Sequence, residues 1–186
     1  MQAIELLHNR VSCPLLTSPG PSAEQLENMY QAAARAPDHA MLKAWRLITL
    51  EGEQLTALGQ VFLTENLKLN PDLSPEQQQK IAAKPLRAPM IITVVASVVE
   101  HPKVPEIEQL ITAGCVAYAL ELAAFAQGIG AMWRSGSMMF NDSVNASLQL
   151  AENEKIVGFL YLGTPKKVRS VSHVNSADFV SKASIV

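Results

Sequence analysis

Apolar and polar positions alternate between two periods along this chain. Met1–Asn9 places Ile4, Leu6 and Leu7 at the spacing of a short helix. A proline-rich crossing, Pro14 to Pro21, follows. Ser22 with Gln25 predicts a capping box that opens a helix carrying Leu26, Met29, Tyr30 and Ala33 on one face. Pro37 ends it near Arg35, because a residue before proline avoids the helical region. Trp45–Glu51 reads as a strand and Glu53–Leu67 as a helix, with a loop at Asn70–Ser74. Ser74-Pro75-Glu76-Gln77 starts another helix, with proline at its first position. Ala88–Val99 is rich in Ile and Val without alternation, as in a strand covered on both faces.

Pro105–Gln127 is the longest predicted helix, with Gly128 at its left-handed cap. Ala113, Gly114, Ala117, Ala123, Ala124 and Ala126 give it a surface of small side chains. Gly130–Ser135 reads as a strand. Asn141 or Asp142 caps a helix to about Leu150, and Lys155–Gly163 is the last strand. From Thr164 the tail is polar and lacks a clear period. Helices on either side of a small sheet make one layered α+β or α/β domain over residues 1–186.

Composition narrows the function classes. Charged residues are only 17% and hydrophobic residues 48%, which excludes disorder and suggests extra buried surface. The net charge of −2 gives no electrostatic case for nucleic acid, and 5% aromatics leave few platforms for stacked bases. Cys13 and Cys115 form no disulfide framework. Glu5, His8 and Arg10 break up the start of the chain, so it does not read as a signal peptide. Leu110–Trp133 is long enough for a bilayer, but Glu121, Gln127 and three glycines favour a core helix running into a strand. The expectation is a cytoplasmic protein with no membrane partner.

Familiar catalytic signatures are missing. There is no P-loop and no GxGxxG after the first strand; Gly128-Ile129-Gly130 sits at a helix end and reads as a cap plus turn. His8, His39, His101 and His173 have no second ligand at metal spacing. What remains is a set of cations at element ends. Arg10 and Ser12 flank Val11, and Arg35 and His39 straddle a helix stop. Trp133-Arg134-Ser135 ends a strand, and Lys166, Lys167 and Arg169 follow the last one. Guanidinium groups and hydroxyls suit a phosphate. Trp133 and Trp45 read either as core or as walls for a flat ring.

On these residues the chain resembles the nitroreductase family of FMN enzymes, and within it the small YdjA-like branch. Asn9-Arg10-Val11-Ser12, Arg35-Ala36-Pro37-Asp38-His39, Arg87-Ala88-Pro89, Ala113-Gly114-Cys115, Trp133-Arg134-Ser135-Gly136 and Lys155–Pro165 carry the likeness nearly end to end. The resemblance implies a three-layer α/β/α sandwich with a small mixed central sheet, as an obligate homodimer with FMN at the subunit interface. It implies that Arg10, Val11 and Ser12 hold the FMN phosphate and ribityl chain. Arg35 and His39 would reach the flavin from the partner, and Trp133, Arg134 and Ser135 would flank it. Arg169 could match a further phosphate cation. Glu121, Leu122, Ala123, Ala124, Phe125 and Ala126 match a stretch assigned to the nicotinamide nucleotide.

The implied activity is ping-pong transfer of two electrons from NAD(P)H to a small nitroaromatic or quinone-type acceptor, carried by the flavin with no catalytic side chain and no metal. Met41, Lys43 and Ala44 stand where relatives have ring-contacting residues. That departure leaves a flavin-binding module with little reductase activity as the alternative.

Overall fold

The computed structural model describes residues 2–167, 170–172 and 174–184. Its helices are α1 (Ala3–Asn9), α2 (Ala23–Ala33), α3 (Glu53–Leu69), α4 (Pro75–Ala82), α5 (Glu106–Ala126) and α6 (Asp142–Ser147). Its strands are β1 (Leu16–Thr17), β2 (Trp45–Glu51), β3 (Met90–Ser97), β4 (Gly130–Arg134) and β5 (Glu154–Pro165). The Ser22 and Ser74 capping boxes both form, each serine accepting from the backbone N–H three residues on. Gly128 follows α5 at φ 75°, the left-handed turn its position calls for. Helix α6 stops at Ser147, short of Leu150, because Gln149 turns the chain at φ 55°.

Strands β2, β3 and β5 lie side by side, and β4 pairs with the other edge of β5. Every pairing among the described residues is antiparallel, so the expected mixed sheet is corrected. The reason is topological. Helix α5 carries the chain from β3 to β4, which run in the same direction, but β5 inserts between them and pairs antiparallel with both.

The sheet is covered on both faces, giving three layers. On one face Ile92, Val94 and Ala96 of β3 pack with Met29 and Ala33 of α2 and Val116, Leu120 and Ala124 of α5. On the other, Ile91, Phe159 and Tyr161 pack with Leu55, Leu58 and Phe62 of α3 and Val144 of α6. Two-sided burial is why β3 needs a continuous apolar run. Helix α5 is long and apolar enough to cross a membrane by length and composition. In this fold its inner face forms the core, and Gln109, Thr112 and Glu121 are buried along it.

Polar side chains lock the far end of the sheet. The Arg46 guanidinium donates to both Glu154 oxygens at 2.6 and 2.7 Å, and Ser97 Oγ donates to Glu154 at 2.8 Å. These bonds hold the Glu154 carboxyl at about 2, below its ordinary 4.5. A carboxyl whose folded pKa is depressed stabilises the fold above its unfolded value and loses that contribution as pH falls. Stability is therefore expected to drop between pH 4.5 and 2, by about 1–2 kcal/mol from this group after solvent screening. Acid titration of urea midpoints should show that slope, and Glu154→Gln should flatten it.

Candidate functional site

The segment after α1 is stitched across the end of the sheet. The Cys13 N–H donates to the Ala131 carbonyl at 2.7 Å, and the Lys166 N–H donates to the Leu15 carbonyl at 3.0 Å. Arg134 Nη2 reaches the Pro14 carbonyl at 3.5 Å. These bonds bring residues 10–16 against β4 and the end of β5. The Arg10–Ser12 and Trp133–Ser135 groups therefore flank one crossing, although they line different cavities.

Arg10, Val11 and Ser12 line a broad cavity of about 1050 Å³ together with Ser170, Ser172, Val174 and Phe179 of the tail. Arg10 Nη1 lies 3.5 Å from Ser12 Oγ and 3.8 Å from a carboxylate oxygen of Glu121. Glu121 is 5% exposed, and its second oxygen accepts no hydrogen bond. Burial pushes its pKa up, against the pull of Arg10 and of the nearby Trp133 backbone N–H. Ala124 is buried beside it on α5, whereas Leu122, Ala123 and Phe125 are half-buried and Ala126 is exposed. The stretch proposed from resemblance for the nicotinamide is thus the last part of a core helix, and its one charge faces Arg10. Arg169 lies outside the described residues. Lys167 lines a small cavity of about 160 Å³ with Val11 and Phe125.

Trp133 and Arg134 point to opposite faces of β4, as successive strand residues must. The Trp133 indole crosses Gly158 so closely that a β-carbon there would lie 2.0 Å from its Nε1. Trp133 is half-buried against the α5-side core. Arg134 lies over the Tyr161 ring at 5.2 Å on the other face. With Ser135 they line a cavity of about 390 Å³, walled by Phe62, Met138, Phe159 and Tyr161. Lys84 and Arg87 enter the same cavity. Burial first, and then the like charge of Arg87, pulls the Arg134 pKa down. Burial pushes that of Tyr161 up.

Sequence reading passed over Lys84 and gave Arg87 no role. Both stand just before β3, and the only signal was the Arg87-Ala88-Pro89 motif. Arg87 and Arg134 also line a second cavity of about 490 Å³ with Lys166.

Arg35 and His39 belong to neither group. Arg35 is exposed just past the end of α2. His39 Nδ1 pairs with Glu108 at 2.6 Å, in the first turn of α5. The loop around it is strained: Ala40, Met41 and Lys43 have φ of 59°, 54° and 50°, a region non-glycine residues avoid. Asp38 holds it by accepting the Lys43 N–H at 2.7 Å. Such strain persists where surrounding contacts over-determine a position, and it clusters at ligand clamps. Glu108 and Glu121 lie at opposite ends of α5, roughly 20 Å apart at 1.5 Å per residue. His39 is therefore far from Arg10 within one chain.

The nitroreductase family model matches residues 7–164. The chain belongs to the nitroreductase family. It is 42% identical over 172 residues to "Putative NAD(P)H nitroreductase YdjA" of Escherichia coli K12, covering 92% of this chain and 93% of the relative. A Haemophilus influenzae NAD(P)H nitroreductase, likewise named as putative, is 36% identical and covers 97% and 99%. The fold is that of a nitroreductase-like protein from Bacillus cereus, with TM-score 0.81, 20% identity and 98% and 96% coverage. A nitroreductase with bound FMN from Desulfitobacterium hafniense superposes with TM-score 0.71 at 19% identity, covering 97% of each chain.

Proposed function

We propose that this nitroreductase-family protein is an FMN-dependent NAD(P)H oxidoreductase that acts as a homodimer on nitroaromatic or quinone-type acceptors. The observation that carries the reading is the division of labour around β4. A guanidinium and a hydroxyl (Arg10, Ser12) stand on one side of the crossing. A cavity with aromatic walls and cations stands on the other. The residues fit the cofactor: Arg10 and Ser12 suit a phosphate ester, and the buried Arg134 Nε, which has no hydrogen-bond partner among the described residues, suits a ring oxygen or nitrogen.

The chemistry that FMN supplies when bound is two-electron transfer between a nicotinamide nucleotide and an acceptor. The protein's own part is placement and charge. Arg134 holds positive charge where negative charge develops, pre-set before reaction. Phe62 and Tyr161 give the cavity an apolar wall on which an aromatic ring could lie. Proton transfer is left to solvent, because no carboxylate or histidine lines the ring cavity among the described residues.

The dimer reading rests on two observations. Ile107, Ile111 and Tyr118 are 60%, 59% and 42% exposed along the outer face of α5, and Ile4 and Leu7 of α1 are exposed as well. Exposed apolar patches of this kind mark interaction surfaces. The strained Asp38–Lys43 loop is also too far from Arg10 to meet the same ligand within one chain.

The test is an absorbance spectrum of the purified protein, followed by NAD(P)H oxidation with menadione or 4-nitrobenzamide. A yellow protein with flavin bands and turnover of either acceptor is expected. A colourless protein whose spectrum does not change on FMN titration would sink the reading.

A further inference from the structure

The ring cavity is more positive than a flavin needs. Its lining holds Lys84, Arg87 and Arg134 and no aspartate or glutamate. None of the three joins an ion pair among the described residues, although six other such pairs form. Arg87 and Arg134 oppose each other, and Arg134 Nε is buried without a partner. Assembling like charges with no counter-ion is unfavourable unless an anion completes the site. An FMN ring is neutral when oxidised and gains one negative charge on two-electron reduction. In the reading proposed above, its phosphate lies in the separate cavity lined by Arg10 and Ser12. At least two of the three cations are left for something else, and the apolar walls (Phe62, Tyr161, Met138) suit an aromatic ring.

We propose that the acceptor is itself an anion, an aromatic nitro compound or quinone bearing a carboxylate, with its ring on the Phe62–Tyr161 wall and its carboxylate on Lys84 and Arg87. This rests on the oxidoreductase reading above and adds the substrate class. The reaction stays the two-electron one. For a nitro compound, R–NO2 with NAD(P)H and a proton gives R–NO, NAD(P)⁺ and water. One N–O bond breaks, and its oxygen leaves with the donor's hydrogen and one proton from solvent. Arg87, exposed at the rim, steers and anchors the carboxylate.

The experiment compares 4-nitrobenzoate with its neutral isostere 4-nitrobenzamide, using the flavin-loaded enzyme and NAD(P)H. The benzamide is the more easily reduced ring, so intrinsic reactivity works against the proposal. The expected kcat/KM ratio favours the benzoate by tenfold or more at low salt. It falls toward one in 0.5 M salt and in Arg87→Gln, and is largely kept in Arg87→Lys. The KM for NAD(P)H stays unchanged in Arg87→Gln. A wild-type ratio of one or less overturns the inference. So does a ratio unmoved by Arg87→Gln, or a variant that raises only the nucleotide KM, since the cations would then serve the hydride donor. Turnover of the benzamide keeps the oxidoreductase reading standing in all those cases. No turnover of either compound overturns both.

Discussion

Ile111→Glu is expected to turn the protein into a monomer and to strip it of flavin in the same step. Ile111 is 59% exposed in the single chain, so the substitution leaves the fold of one subunit nearly untouched. Its neighbours on the outer face of α5, Ile107 and Tyr118, make an apolar stripe with the small residues between them. Each isoleucine buried in an interface contributes about 1.5–3 kcal/mol, and a buried carboxylate in its place costs several more. Two symmetry-related copies double the effect.

The flavin consequence follows from distance. His39 pairs with Glu108 near the start of α5 and Arg10 with Glu121 near its end, so in the proposed site the two sets would reach one flavin only from two chains. Size-exclusion chromatography and the flavin absorbance of the peak test both halves. A dimeric variant would refute the interface. A monomer that keeps full flavin would show that one chain completes the site.

Much of this arrangement could be read from residue patterns because it depends on local rules. The two serine capping boxes, the proline stop after α2 and the glycine after α5 are each decided within a few residues. The unbroken Ile/Val run of β3 announced burial on both faces, and that fixed the three layers. What escaped was set by long-range pairing. Strand β1 is Leu16-Thr17 inside a proline-rich crossing, and it exists only because Thr164 and Pro165 lie opposite. The sheet was expected to be mixed because the family resemblance implied it. Nothing local says that β5 will come between β3 and β4. Lys84 and Arg87 stand on a turn with no motif of their own beyond Arg-Ala-Pro, and only the folded sheet brings Arg134 to them. Glu121 was placed in a nucleotide stretch by the family resemblance alone, although that stretch reads as buried helix. Its approach to Arg10 joins residues from α5 and the end of α1.

With the FMN contact proposed above, that approach would give Arg10 two separable roles, and Arg10→Ala should lose both. Loss of a charge-assisted contact to the FMN phosphate weakens cofactor binding by about 1.5–3 kcal/mol, or roughly 10- to 150-fold in Kd. Riboflavin, which lacks the phosphate, should bind the variant and the wild type alike. The second loss is to the fold itself. Glu121 is 6% exposed at its side chain and already has one oxygen without a partner. Removing its cation leaves a buried carboxylate held only by the nearby Trp133 N–H, which costs about 1–3 kcal/mol. An acid whose folded pKa is raised binds more protons folded than unfolded, so its fold weakens as pH rises through the window above the ordinary carboxyl value. Arg10→Ala should therefore be less stable at pH 8 than at pH 5, by a wider margin than wild type.

The double variant Arg10→Ala/Glu121→Gln separates the roles. Glutamine has the shape of the protonated acid and needs no cation. Thermal stability should return toward wild type while FMN affinity stays low. If glutamine restored both, Arg10 would act on the flavin only through Glu121 and the shape of the α1 end. If it restored neither, the buried pair would not be what Arg10 contributes to the fold. Calorimetric titration with FMN and riboflavin, beside melting curves at the two pH values, reads all of these in one set of three proteins.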